Sequence, residues 1–215
     1  MQNRKKVKWW SMRYFKLATV LAICISIVGG CAGMGESENE AKAGQSSQGQ
    51  PKEPQVSPEV RQNYDDALKA MRDGENDKAK ELLSNLTSSY PTLSGPYTNL
   101  GLIYFREGNI DEAEAAFQQA IKVNPKSAVS YNHLGIINRG KGKFQEAKQD
   151  YELALRINND YANAHLNIGI LYDLYLGDLQ KALDHYNRFQ NLTPEKDQEV
   201  AKWIADLERR IKSEH

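Results

Sequence analysis

Cysteine is scarce: the 215 residues hold two, Cys24 and Cys31, both near the N-terminus. They cannot cross-link the rest of the chain, which excludes a disulfide framework. Net charge is also absent, with 28 Lys and Arg balancing 28 Asp and Glu. Six of those bases lie within residues 1–30, where there is no acid, leaving 22 bases against 28 acids beyond. A mildly acidic body lacks the basic footprint that neutralises phosphates, so nucleic acid is not an expected partner. Apolar runs are short. The longest, Leu17 to Val28, has twelve apolar or small residues and covers about 18 Å of helix, against roughly 30 Å of bilayer hydrocarbon. With a mean hydropathy of −0.67, a multi-span membrane protein is excluded. Catalytic patterns are missing too. There is no HExxH, CxxC or GxSxG, and the four histidines (His133, His165, His185 and His215) have no partners at metal-ligand spacing. Gly135 to Lys141 fits GxxxxGK, but Gly142 stands where a phosphate-binding loop needs Ser or Thr. No enzymatic activity, metal, cofactor or small-molecule substrate is expected.

What is present begins with an address. Arg4, Lys5, Lys6, Lys8, Arg13 and Lys16 precede the short apolar run, and Gly29, Gly30, Cys31 and Ala32 follow it. A basic segment, a short apolar core and small residues at its end make a secretory signal, here residues 1–30. Val28-Gly29-Gly30-Cys31 resembles the lipobox of bacterial lipoproteins, with Gly29 where Ala or Ser is commoner. That resemblance implies acylation of Cys31 as the mature N-terminus and loss of Cys24 with the signal. Ala32, rather than Asp, implies export to the outer membrane, on its periplasmic face. Residues 32–57 contain no aromatic side chain and are dominated by Gly, Ser, Gln, Glu and Pro. Such a composition buries too little surface to offset chain entropy, so residues 31–57 read as a lipidated cysteine and a disordered tether. Its root-mean-square reach is about 30 Å.

Beyond the tether the chain repeats. Gly74, Gly108, Gly142 and Gly177 recur at intervals of 34, 34 and 35 residues, as do Ala79, Ala113, Ala147 and Ala182. Ala67, Gly101, Gly135 and Gly169 recur at 34 throughout, which places the extra residue of the fourth unit between Gly169 and Gly177. A period of 34 with small residues at fixed offsets predicts stacked pairs of antiparallel helices. The units are 60–93, 94–127, 128–161 and 162–195. The glycine of the first ladder opens the turn between helices A and B of each unit.

These residues resemble the tetratricopeptide repeat (TPR), most fully at Tyr97, Leu100, Gly101, Tyr104, Gly108, Ala113, Phe117, Ala120 and Pro125. The resemblance implies an all-α, right-handed α-solenoid of about four helix pairs, with Gly101 and Ala113 small where helices A and B cross. Residues 196–215 add a capping helix, with Val200, Trp203, Ile204, Leu207 and Ile211 in one apolar stripe. Thr193-Pro194 reads as its N-cap and first residue.

By resemblance, such arrays bind proteins in a concave groove lined by A helices. Position 9 of each unit supplies Leu68, Leu102, Ile136 and Ile170. Asn99, His133 and Asn167 stand at position 6, and Phe105, Arg106 and Arg139 at positions 12 and 13. These ten residues are the candidate partner-binding groove. The competing reading packs the aliphatics between neighbouring A helices and leaves the polar groups solvated. Lysines are absent from the places that a carboxylate clamp would need. Taken together, the chain resembles TPR lipoproteins of the Gram-negative envelope, both pilotin-like and hydrolase-adaptor-like. That implies a membrane-anchored scaffold for an envelope protein complex. A subunit of a transport or energy-transduction complex, and a periplasmic holdase, stay open as alternatives.

Overall fold

The computed structural model describes residues 56–213. The signal segment, Cys31 and most of the tether lie outside these residues. Among the described residues there are nine α-helices and no strand. Helices A of the four units are α1 (Pro58–Asp73), α3 (Ser94–Glu107), α5 (Ala128–Gly140) and α7 (Ala162–Leu171). Helices B are α2 (Asn76–Ser89), α4 (Ile110–Val123), α6 (Phe144–Ile157) and α8 (Leu179–Leu192), and α9 (Gln198–Ser213) closes the array. Each helix packs chiefly on its sequence neighbours, as a one-dimensional stack requires.

The glycine ladders each have a visible cause. Gly74, Gly108, Gly142 and Gly177 all adopt positive φ, between 74° and 83°, in the turn from A to B. A side chain in that left-handed region costs roughly 1–2 kcal/mol. In the second ladder the space is filled by a ring. A Cβ on Gly101 would lie 2.7 Å from Phe117, on Gly135 2.6 Å from Tyr151, and on Gly169 2.7 Å from Tyr186. The glycine therefore seats an aromatic side chain of helix B against the backbone of helix A. Those rings are almost wholly buried, and each contributes roughly 1.5–3 kcal/mol of apolar burial.

The core is continuous along the stack. Ala67, Leu83, Leu100 and Ile103 join the first two units, and Phe117, Leu134 and Ile137 join the second and third. Tyr151, Ile168 and Tyr186 extend it to Val200 and Leu207 of α9. The apolar stripe of α9 is thus the cover of the last unit, with Trp203 set 5.5 Å from the Tyr186 ring. Its start differs from expectation. Asp197, not Thr193, caps α9, its carboxylate accepting from the backbone N–H groups of Glu199 and Val200. Two backbone bonds to a carboxylate outweigh one to a hydroxyl at a helix N-terminus. The Thr193 hydroxyl instead donates back to the Phe189 carbonyl at the end of α8.

The extra residue of the fourth unit is absorbed as a π-helical turn, Tyr172–Leu176. In the first three units the residue after the turn glycine donates its N–H to a carbonyl five residues back, as Asn109 does to Tyr104. In the fourth, Asp178 reaches Tyr172, six residues back. One additional residue is looped out while the flanking helices keep register.

Candidate functional site

The A helices place the ten candidate residues side by side, yet most are engaged by the neighbouring helix. Ile136 is 1% exposed and belongs to the core that continues into α7. Leu102 and Ile170 are half-buried against adjacent clusters, and Leu68 is half-buried on α1. Position 9 is therefore not an open floor at the third unit. The side chain of Ile136 fills the space between A helices, because α5 and α7 lie too close to leave a groove there.

The polar candidates are cross-links. Asn167 is 6% exposed and donates to Asn132 Oδ1 at 3.0 Å. Arg139, 8% exposed, donates to the Asn167 carbonyl at 3.2 Å. Asn99 donates to Tyr64 Oη at 2.7 Å, and Thr98 bonds Ser130 at 3.1 Å. These bonds join successive A helices, as buried amides and guanidinium groups require. Arg139 and Asn167, read from the sequence as groove groups, are corrected to buried members of this network. Asn99 spends a donor in the same way.

Between the second and third units an aromatic cluster surrounds His133. His133 Nδ1 donates to the Val129 carbonyl at 2.8 Å. Its ring stacks on Phe117 at 5.0 Å and meets Phe105 edge-on at 5.6 Å. Burial, reinforced by Arg106, holds the imidazole below its ordinary pKa, although the Val129 bond favours protonation. Arg106 is exposed and makes no ion pair with any described residue. Its neighbour Glu107 is held by Lys80 at 3.0 Å.

Two further titratable features were not foreseen. Asn138, which stands where the repeat has an aromatic, donates to Asp150 Oδ2 at 2.7 Å. Burial pushes Asp150 up to about 6, opposed by that bond and aided by Glu146 and Glu114. In the fourth unit, His165 Nδ1 lies 2.9 Å from His185 Nδ1. His165 Nε2 sits 3.0 Å from the Asn159 carbonyl and must be the protonated nitrogen there. It follows that His185 donates to His165. Burial, with His165 adjacent, holds His185 down to about 4.

No group of three or more His, Cys, Asp or Glu among the described residues is placed to hold a metal ion. No helix among them is long and apolar enough to cross a membrane. The GxxxxGK resemblance dissolves, since Gly135 lies under Tyr151 and Lys141 pairs with Glu114 at 2.6 Å.

The geometry defines a helical-repeat solenoid, and comparison with known proteins agrees. The family model for the tetratricopeptide repeat matches residues 92–160 and 127–192. No curated protein matches the sequence. Among solved structures, the chain is similar to MamA 41-end from Desulfovibrio magneticus RS-1. Identity is 16%, the TM-score is 0.60, and 73% of this chain and 87% of that one are covered. It is also similar to PilF of Pseudomonas aeruginosa, at 17% identity, TM-score 0.62, and 72% and 69% coverage. The first TPR of Spaghetti (RPAP3), bound to an HSP90 peptide, matches at 23% identity and TM-score 0.51, covering 55% and 93%. Residues 92–192 carry tetratricopeptide repeats in a TPR-like solenoid, and proteins built on this repeat typically mediate protein–protein interaction.

Proposed function

We propose that the chain is a lipid-anchored adaptor of the bacterial envelope, held by Cys31 at the periplasmic face of the outer membrane. There it positions or helps assemble a protein complex. The observation that supports this reading is the division of the molecule into parts. A lipobox-like Cys31 and a polar segment precede a capped four-unit solenoid. An adaptor needs an anchor, a reach and a rigid binding surface; in this reading Cys31 is the anchor, residues 32–57 the reach and the solenoid the binding surface.

The test combines localisation with capture. Full-length chain expressed in a Gram-negative host should fractionate with the outer membrane, incorporate labelled fatty acid, and recover a defined partner at stoichiometry. Cys31→Ser should give unprocessed precursor or non-acylated protein. Acylated, mature Cys31→Ser protein would refute the anchor. A heterogeneous set of unfolded clients in place of a defined partner would favour a holdase.

A further inference from the structure

We infer that recognition runs along one rim of the A-helix array, at the repeat position that holds Arg72 and Arg106 in the first two units and Leu174 or Tyr175 in the fourth. They would select an extended protein segment that is acidic at one end and bulky apolar at the other. This rests on the adaptor reading and goes further, because it moves the contact surface off the groove floor.

The floor of the third and fourth units is closed. Ile136 is core, and Asn132, Asn167 and Arg139 satisfy one another. A ligand entering there would have to break buried hydrogen bonds that it could not all replace. The side chains two residues before each turn glycine are open instead. That position is Arg72 in the first unit and Arg106 in the second, both exposed. It is Gly140 in the third. In the fourth it is Tyr175 counted from Gly177, or Leu174 counted from Gly169, because the π turn inserts one residue between them.

Leu174 is 50% exposed and Tyr175 38%, the largest exposed apolar side chains of that unit. Tyr175 is held in place by its ring lying 4.6 Å from Phe144. A solvent-facing Leu-Tyr pair on a looped-out turn offers apolar surface that a partner's side chain can cover, and covering it is favourable in proportion to the area removed from water. Arg72 and Arg106 make no ion pair with any described residue. Their charge is therefore available for a partner carboxylate, with bidentate geometry within reach. The column thus changes from cationic to apolar over its length, which fixes the direction of the bound segment.

Spacing sets the motif. Neighbouring A helices pack at roughly 8–10 Å, and an extended chain advances about 3.3 Å per residue. Arg72 and Arg106 then match carboxylates about three residues apart, and Leu174 an apolar side chain about five or six residues further on.

The test uses full-length chain and synthetic peptides with Ser and Gly spacers, read by fluorescence anisotropy. The first peptide is Glu-x-x-Glu-x-x-x-x-x-Phe. A second carries Lys for Glu, and a third carries Ser for Phe. Wild type should bind the first peptide with salt-dependent affinity and bind the other two at least about tenfold more weakly. Arg106→Glu should weaken the first peptide about tenfold and flatten the salt dependence, while strengthening the Lys peptide. Leu174→Asp should weaken the first peptide and leave the third unchanged. Circular dichroism of both variants should match wild type, since both residues face solvent. Binding of the first peptide that neither variant alters, or no binding by wild type, would overturn the rim. So would loss of binding to phosphatidylglycerol vesicles in Leu174→Asp with no peptide response, which would assign the patch to lipid. A double variant, Arg106→Glu with Leu174→Asp, that captures a partner in cells as well as wild type does would sink the rim and leave the adaptor reading standing.

Discussion

Replacing Gly135 by alanine sets two known effects against each other, and the structure says which prevails. A helix interior gains about 1 kcal/mol when glycine becomes alanine. Here the added Cβ would lie 2.6 Å from Tyr151 Cε1 and 2.7 Å from Cδ1, closer than real Cβ contacts come. The obstructing atoms belong to a ring with no exposed surface, so it cannot swing into solvent. Overpacking of this kind costs about 1–3 kcal/mol, and the upper part of that range applies to a ring walled in by core. The net expectation is a loss of about 1–2 kcal/mol, or a fall in Tm of roughly 2–8 °C for a domain of this size. Thermal melting followed by circular dichroism reads it. Tyr151→Leu should be destabilising alone, yet in its presence Gly135→Ala should become neutral or stabilising, because the ring it met is gone. That sign change is the diagnostic outcome of a double-mutant cycle. An alanine variant that melts at or above wild type would refute the ring-seating account of the glycine ladder.

Ile136→Ser should lower Tm strongly, by an amount typical of a buried aliphatic replaced with a polar group, roughly 2–4 kcal/mol. Leu68→Ser, on a half-exposed neighbour in the same ladder, should fall well short of that. Equal melting of both variants would restore position 9 as a surface. The pH dependence has two opposed parts. His133, His165 and His185 are all held below their ordinary pKa by burial, so their contribution is present above about 6.5. It is lost as the pH falls towards 4. Asp150 is raised to about 6, so it favours the fold at low pH and costs stability as the pH rises through 6. Asp150→Asn keeps an acceptor for Asn138 and should stabilise at pH 8, on the order of 1 kcal/mol after screening of a half-exposed group. At pH 4 it should do nothing. A gain at pH 4 as large as that at pH 8 would show that the carboxylate's charge is not the cause.

Much of the fold was legible because the repeat is written in residues whose reasons are local. Turn glycines at 74, 108, 142 and 177 must take positive φ, and no other residue serves as well there. The extra residue could even be located between Gly169 and Gly177, although its form as a π turn could not. The binding surface was less legible. Position labels carried from the family say which way a side chain points, not how near the next helix lies. Asn167 and Arg139 look like groove groups until Asn132 and the Asn167 carbonyl are seen beside them. The partners stand 35 and 28 residues apart, so periodicity alone suggests neither pair. The start of α9 was misplaced for a different reason. Thr193-Pro194 has the right local chemistry, but Asp197 competes with a stronger acceptor.

The central claim is that this solenoid works by holding a protein on its A-helix side. A photo-crosslinking residue placed singly at Arg106 and at Leu174, in full-length chain in living cells, tests it most directly. Gln119 and Gln149, exposed on helices B, serve as controls. The account predicts one shared adduct of defined mass from positions 106 and 174, and none from 119 or 149. Adducts confined to 119 and 149, with positions 106 and 174 silent, would contradict it and move the binding surface to the B helices.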